Sequence, residues 1–183
     1  MNDIFFTSDN HFYHKRIKEF CPNTRKGNSV EEMNELMIQA HNATVRRNDT
    51  VYFLGDFSFG TAEQTKGIIS RLNGQKHLIY GNHDKVIRGD ASIQRMFVSI
   101  NEYKKTSVDK IGAVMFHYPM REWEQCHRGY YHLFGHVHGS LMDKPHGRSM
   151  DVGIDTRPEG DMKPWHWEEI HAILKNQPIL GHH

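Results

Sequence analysis

His77-Leu78-Ile79-Tyr80-Gly81-Asn82-His83-Asp84 sets an apolar, strand-type run directly against a cluster of turn-forming and ionisable residues, as a buried strand ending at a site would. The same arrangement recurs along the chain. Ile4-Phe5-Phe6-Thr7-Ser8 runs into Asp9-Asn10-His11, Val51-Tyr52-Phe53-Leu54 into Gly55-Asp56, Ala113-Val114-Met115-Phe116 into His117, and Tyr131-His132-Leu133-Phe134 into Gly135-His136-Val137-His138. Helical patterns separate the early runs. Ser29-Val30-Glu31-Glu32 is a capping-box pattern ahead of Met33, Leu36, Met37 and Ala40. Thr61-Ala62-Glu63-Gln64 is another, ahead of Ile68, Ile69 and Leu72, and Asn73-Gly74 closes that segment. Strands alternating with helices predict an α/β layered domain whose ligands gather beyond the carboxyl ends of the strands. Farther on, Arg148 to Ile154 reads as a strand, and Pro164 as the start of a helix carrying Trp165, Glu168, Glu169, Ile170, Ile173 and Leu174. Met142 to Ser149 and Thr156 to Lys163 read as loops, and Gly181-His182-His183 as an appended remnant.

Length and composition bound the rest. The 183 residues fit a single domain spanning 1–183, long enough to bury a core without disulfides. With 37% hydrophobic and 25% charged residues the chain is an ordinary globular one, and its formal net charge of +1 supplies no global basic field for a nucleic-acid polymer or an anionic membrane. Lys104-Lys105 is too short for a nucleic-acid patch. Cys21 and Cys126 stand alone without metal-type spacing, and neither a signal peptide nor an apolar run of about 20 residues is present. A reducing cytoplasm is the expected setting, with no membrane partner. Nothing marks an oligomer interface.

Each polar cluster has a plain structural reading beside a functional one. Asp9-Asn10-His11 is a turn with a surface histidine or a pair of ligands; Gly55-Asp56 and Gly81-Asn82 are common turn pairs; His117 alone reads as a core histidine. His136-Val137-His138 is stronger, because alternate residues on an extended segment face one side and present two imidazoles together. The ordered set Asp-x-His, Gly-Asp, Gly-Asn-His-Asp, His and Gly-His-x-His carries far more information than its parts.

In that order and at those strand ends, the residues resemble the calcineurin-like metallophosphoesterase superfamily from Ile4 to about Ile154. The likeness extends toward its small bacterial and phage phosphoesterases through Ser8 to His14 with Ile17, Asp49 to Gly60, Leu72-Asn73-Gly74, His117-Tyr118-Pro119-Met120 and Asp151-Val152-Gly153-Ile154-Asp155. The resemblance implies a four-layer fold, two packed β-sheets flanked by helices. It implies one divalent metal ion held by Asp9, His11, Asp56 and His138, and a second by Asp56, Asn82, His117 and His136, with Asp56 bridging. It also implies His83 as the general acid that protonates the leaving group, with Asp84 orienting it. Two divalent ions about 3.5 to 4 Å apart clamp a phosphate and activate a water near neutral pH. Nitrogen and oxygen ligands without thiolate suit manganese, the first expectation, as well as iron, zinc or nickel.

The implied activity is hydrolysis of a phosphate ester, with a phosphodiester of a nucleotide or nucleic-acid end ahead of a phosphomonoester. A protein phosphatase fits less well. Those enzymes carry an Arg and a second Asp after the Gly-Asp pair and a Glu in the Gly-Asn-His segment, where this chain has Phe57-Ser58-Phe59 and Asp84. A catalytically silent scaffold is a third reading, against which stand the seven intact ligand candidates and His83. His14, Arg16, Tyr118 and Arg121 are candidate substrate contacts, with solvated loop residues as the alternative; Trp123, Trp165 and Trp167 are candidate stacking surfaces or core. His127, His132, His146, His166 and His171 read as surface or supporting residues. The loops Thr24 to Ser29, Val86 to Ala91 and Met120 to Gly129 are expected to form the rim.

Overall fold

Residues 2–181 are described by the structure, a computed structural model; His182 and His183 of the expected terminal remnant lie outside the described residues. The apolar runs form short strands: β1 (Ile4–Thr7), β2 (Thr50–Phe53) and β3 (Gln75–Ile79) pair in parallel, and β4 (Ser99–Asn101) continues the sheet beside β3. The amphipathic segments between them are α2 (Val30–Thr44) and α3 (Ala62–Arg71); a single short turn, α1 (Ile17–Phe20), precedes them. Near the end of the chain β9 (Trp165–His166) adds antiparallel to β1, giving the order β4-β3-β2-β1-β9. A second sheet is built from β5 (Tyr103–Val108), β6 (Ile111–Phe116), β7 (Tyr131–Phe134) and β8 (Ser149–Asp151) in that order. Its β5–β6 hairpin turns on Asp109-Lys110, both with positive φ, the conformation that matches strand twist in a two-residue hairpin loop.

Side-chain alternation decides which face meets what. Phe5, Val51, Phe53 and Leu78 pack with Met33 and Met37 of α2 and Ile68 and Ile69 of α3. Their neighbours Phe6, Tyr52, Leu54 and Ile79 pack between the sheets against Ala113, Met115, Tyr131 and Leu133. Burial on both faces explains why β1 and β2 read as apolar runs, whereas β3 is buried only at Leu78 and Ile79. The second sheet's far side holds Val114 against Trp123 and Cys126, and α6 (Trp167–Leu174) adds Trp167, Ile170 and Leu174 to the core between the sheets. The expected two packed sheets flanked by helices are present. Among the described residues no helix is long and apolar enough to cross a membrane.

Several elements differ from expectation. Thr61 and Gln64 form the full capping box of α3, but at α2 only Ser29 caps, since the Glu32 carboxylate reaches the Asn28 N–H instead. The segment read as a helix from Pro164 first makes β9, and α6 begins at Trp167 with His166 and Glu169 as its reciprocal cap. The expected loop at Val86 to Ala91 holds α4 (Lys85–Arg88) and the start of α5 (Ala91–Gln94). The strand expected over Arg148 to Ile154 is confined to β8. β4 and β5 escape the sequence reading because neither carries an apolar run: β4 is half-buried throughout and β5 alternates exposed with half-buried residues up to the buried Val108.

Candidate metal centre

All the polar clusters converge where the parallel strands end. Asp9 N–H donates to the Gly55 carbonyl at 3.0 Å, His11 N–H to the Asp56 carbonyl at 3.0 Å, and Gly135 N–H to the His117 carbonyl at 2.9 Å. The glycines permit this approach. A Cβ on Gly55 would lie 2.5 Å from His117 Nδ1, and one on Gly81 would lie 2.5 Å from Asp56 N. Five of the seven candidate ligands hold left-handed backbone: Asp9 (φ 54°), His11 (51°), Asp56 (53°), His136 (70°) and His138 (48°). Non-glycine residues pay for that conformation, and it clusters where side chains must be aimed.

Two groups of ligand atoms result, Asp9 with His11 and His138, and Asp56 with His117 and His136, each with its atoms within 4.8 Å of one another. Asp56 Oδ2 joins them, 3.7 Å from His11 Nε2 and 3.6 Å from His117 Nε2. Asp9 Oδ1 lies 3.6 Å from His11 Nε2 and 3.8 Å from His138 Nε2. Asn82 Oδ1 is 3.1 Å from His117 Nε2. His136 and His138 reach different groups from a tight turn; the extended segment expected to present them side by side is absent, because both residues are left-handed.

The chemistry of the donor set fits divalent cations. Among the described residues, Asp9 Oδ1 and both ring nitrogens of His11 are buried without a hydrogen-bond partner, an arrangement that is costly unless something else binds them. Burial works against the charged form of Asp9, yet His11, His138 and His117 outweigh it and hold its carboxyl below the ordinary range. Asp56 follows the same pattern, with His117 the main opponent of burial. Burial and the neighbouring His117 push His136 down toward the neutral form a ligand needs.

A surrounding layer fixes the imidazoles. His117 Nδ1 meets the Leu54 carbonyl at 2.7 Å, which turns Nε2 toward Asp56. His138 Nδ1 meets Asp155 Oδ2 at 2.7 Å, which turns Nε2 toward Asp9. Burial opposes the charged form of His138, but Asp155, Cys21 and Asp9 raise its pKa to about 10. Cys21 Sγ lies 3.7 Å from the same Nδ1. Cys21, His138 and Asp155 form another possible cation group, but Asp155 is already engaged by Arg25. Sequence reasoning missed Arg25 altogether and knew Asp155 only as the end of a motif. A lone arginine in an expected loop gives no periodic signal.

His83 is exposed above the centre, its ring 4.9 Å from Phe59 and 6.1 Å from His11, and its N–H donates to Asp56 Oδ1 at 2.8 Å. Asp84 does not act as its expected partner. The Asp84 carboxylate is fully buried and accepts from Asp56 N–H at 3.0 Å, Gly81 N–H at 2.7 Å and Phe57 N–H at 2.8 Å. It ties two ligand loops together. Burial pushes its pKa up while those N–H groups pull it back.

The expected substrate contacts divide. His14 sits 5.4 Å from the His11 ring and edge-on to Phe59 at 4.2 Å; burial, then His11 and His83, favour its neutral form. Tyr118, 37% exposed, flanks His136 at 4.6 Å. Arg16 instead pairs with Glu19 at 2.9 Å, and Arg121 lines a cavity of about 660 Å³ that contains none of the candidate ligands. Trp123, Trp165 and Trp167 are core residues. Phe59, 40% exposed and stacked on His11, is the rim aromatic that sequence reasoning passed over.

No family model matches the chain. It is 32% identical over 162 residues to the uncharacterised protein MJ1445 of Methanocaldococcus jannaschii, covering 85% of this chain and 83% of that one. It is 28% identical over 184 residues to the Gene 66 protein of Mycobacterium phage L5, covering 85% and 87%. A solved structure of the protein of unknown function AQ665 from Aquifex aeolicus aligns with a TM-score of 0.73 at 23% identity, over 94% of this chain and all of that one. The last shows a shared fold.

Proposed function

This chain belongs to the same family as the uncharacterised protein MJ1445 of Methanocaldococcus jannaschii, and we propose that it is a metal-dependent phosphoesterase acting on a phosphodiester of a nucleotide or a nucleic-acid end. One observation carries the reading: Asp56 Oδ2 stands within 3.7 Å of an imidazole Nε2 from each of two donor groups. A shared carboxylate between two sets of histidines suits a pair of divalent ions, manganese first among iron, zinc and nickel. Asp9, His11, Asp56 and His138 would hold one ion, and Asp56, Asn82, His117 and His136 the other. Such a pair supplies charge neutralisation for a phosphate and a lowered pKa for water.

The chain's own groups do the rest. His83 is exposed with its ring 6.1 Å from that of His11 and its backbone N–H bound to Asp56 Oδ1, which supports a role for its imidazole in protonating the leaving oxygen of a bound ester. Asp84 holds the loops carrying Asp56 and Asn82 in register and thereby positions His83. Phe59 stacks on His11 of one donor group and Tyr118 lies edge-on to His136 of the other, both partly exposed. Ester groups that extend beyond the phosphate can rest on them, which favours a diester.

The test is hydrolysis of bis-p-nitrophenyl phosphate and p-nitrophenyl phosphate by metal-stripped protein, with and without manganese, beside His83→Ala. Manganese-dependent turnover that favours the diester and drops in the mutant supports the reading. A preference for the monoester would select the phosphomonoesterase alternative. Binding of two ions without turnover of either substrate would point to a specialised substrate or to the silent scaffold.

A further inference from the structure

Arg25 is buried, with no exposed side-chain surface, in a segment expected to be a rim loop. Its Nε and Nη2 donate to Asp155 Oδ1 and Oδ2 at 2.8 and 2.6 Å. Nη2 also donates to the Asp9 carbonyl at 2.6 Å, and Nη1 to the Asn10 carbonyl at 2.8 Å and to Met37 Sδ at 3.6 Å. Asp155 in turn accepts from the Thr24 hydroxyl and holds His138 Nδ1. One guanidinium therefore joins the loop that carries Asp9 and His11 to the carboxylate that orients His138.

Burying such an ion pair costs desolvation that its mutual attraction does not reliably repay, and well-packed apolar side chains often do as well for stability. The pair's contacts point to a different use. Asp9 and His11 sit in left-handed backbone on either side of Asn10, and the two carbonyls that Arg25 grips belong to the peptide planes between them. The planar fork suits this task; an ammonium is a point charge that cannot present the same donors. The Asp56, His117 and His136 group has a separate anchor, the Leu54 carbonyl on His117 Nδ1.

We propose that Arg25 and Asp155 are positioning residues that set the ligand geometry of one metal position, the one formed by Asp9, His11 and His138, and leave the other largely untouched. The proposal rests on the two-ion reading above. Residues outside the ligand shell that orient its histidines commonly change metal affinity by about 10- to 100-fold, so the expected effect is confined to one of two ions.

The experiment titrates Mn2+ into metal-free wild type, Arg25→Lys and Asp155→Asn, followed by calorimetry and electron paramagnetic resonance, with circular dichroism to verify folding. Nitrogen-15 spectra of labelled histidines in the metal-free proteins report the tautomers directly. Wild type should take up two ions with an exchange-coupled signal. Each variant should keep one ion at wild-type affinity, bind the other at least about 10-fold more weakly and show a mononuclear signal; the double variant should be no worse than the weaker single one. Without metal, the His138 resonances should shift in both variants while those of His117 stay. Asp155→Asn keeps one oxygen as acceptor for Arg25 Nε and the Thr24 hydroxyl, so it serves if Arg25→Lys does not fold. Two-ion binding like wild type in both variants, or equal weakening of both positions, overturns the proposal. Failure of wild type to bind a coupled pair would overturn the two-ion reading instead, and the His138 resonances would then decide the positioning role alone: unchanged in both variants, they overturn it.

Discussion

Asp84→Asn separates two uses of one carboxylate. In the fold it accepts three backbone N–H groups, two on Oδ2 and one on Oδ1. A protonated carboxyl would find no acceptor among those donors, so the anion is the form the site binds. An asparagine can place its oxygen where Oδ2 was, keeping Asp56 and Gly81 as donors, but its NH2 then faces the Phe57 N–H. One hydrogen bond to a charged group, worth about 1.5–3 kcal/mol, is lost with a donor left buried, and the two that remain become neutral and weaker. The sum is about 3–5 kcal/mol, which in a chain of this length lowers Tm by on the order of 10 °C. Thermal and urea unfolding of the metal-free protein read it directly, with His83→Ala as a control that should leave Tm in place. If Asp84→Asn melts within about 2 °C of wild type while turnover falls, Asp84 acts directly on the His83 side chain as its sequence position suggests, and the loop-tying role derived from the backbone contacts is wrong.

Gly81→Ala would put a methyl group 2.5 Å from Asp56 N, so the protein should retain far less Mn2+ at both positions after desalting; wild-type metal content would refute the packing argument. Mn2+ at 100 times its Kd should stabilise the fold by about 2.7 kcal/mol for each position filled, with a smaller gain in His117→Ala, measured as the shift in urea midpoint. Acid should destabilise the protein through His41 and His132, whose pKa values burial lowers to about 4. Each is neutral in the fold and titrates near 6.5 when unfolded, so its contribution is complete above about pH 6.5 and declines as pH falls toward 4, by roughly 3 kcal/mol per histidine. His41→Gln should flatten the dependence of the urea midpoint on pH over that window, and parallel curves would count against it.

The alternation of buried strands with amphipathic helices was legible in the chain because β1, β2 and the carboxyl end of β3 are covered on both faces, which leaves apolar runs, and because capping residues mark α2 and α3. The candidate ligands were legible for a related reason: each follows immediately on such a run, so its place at a sheet end is fixed by local sequence. β4 and β5 had no such mark, since a half-buried strand at a sheet edge is specified by its partner. Asp84 shows the limit for side chains. Its neighbour in sequence is His83, but its hydrogen bonds go to N–H groups that only the packing of two loops brings within reach. Arg25 shows it more sharply, for a guanidinium in an unremarkable loop becomes a link between Asp9 and Asp155 only when β1 and the segment after β8 lie side by side. The sequence by itself determined which residue types stand at the strand ends and hence what chemistry they can do. Tertiary structure alone decided how the imidazoles are aimed, because hydrogen bonds between segments far apart in the chain are fixed by three-dimensional approach and leave no local pattern.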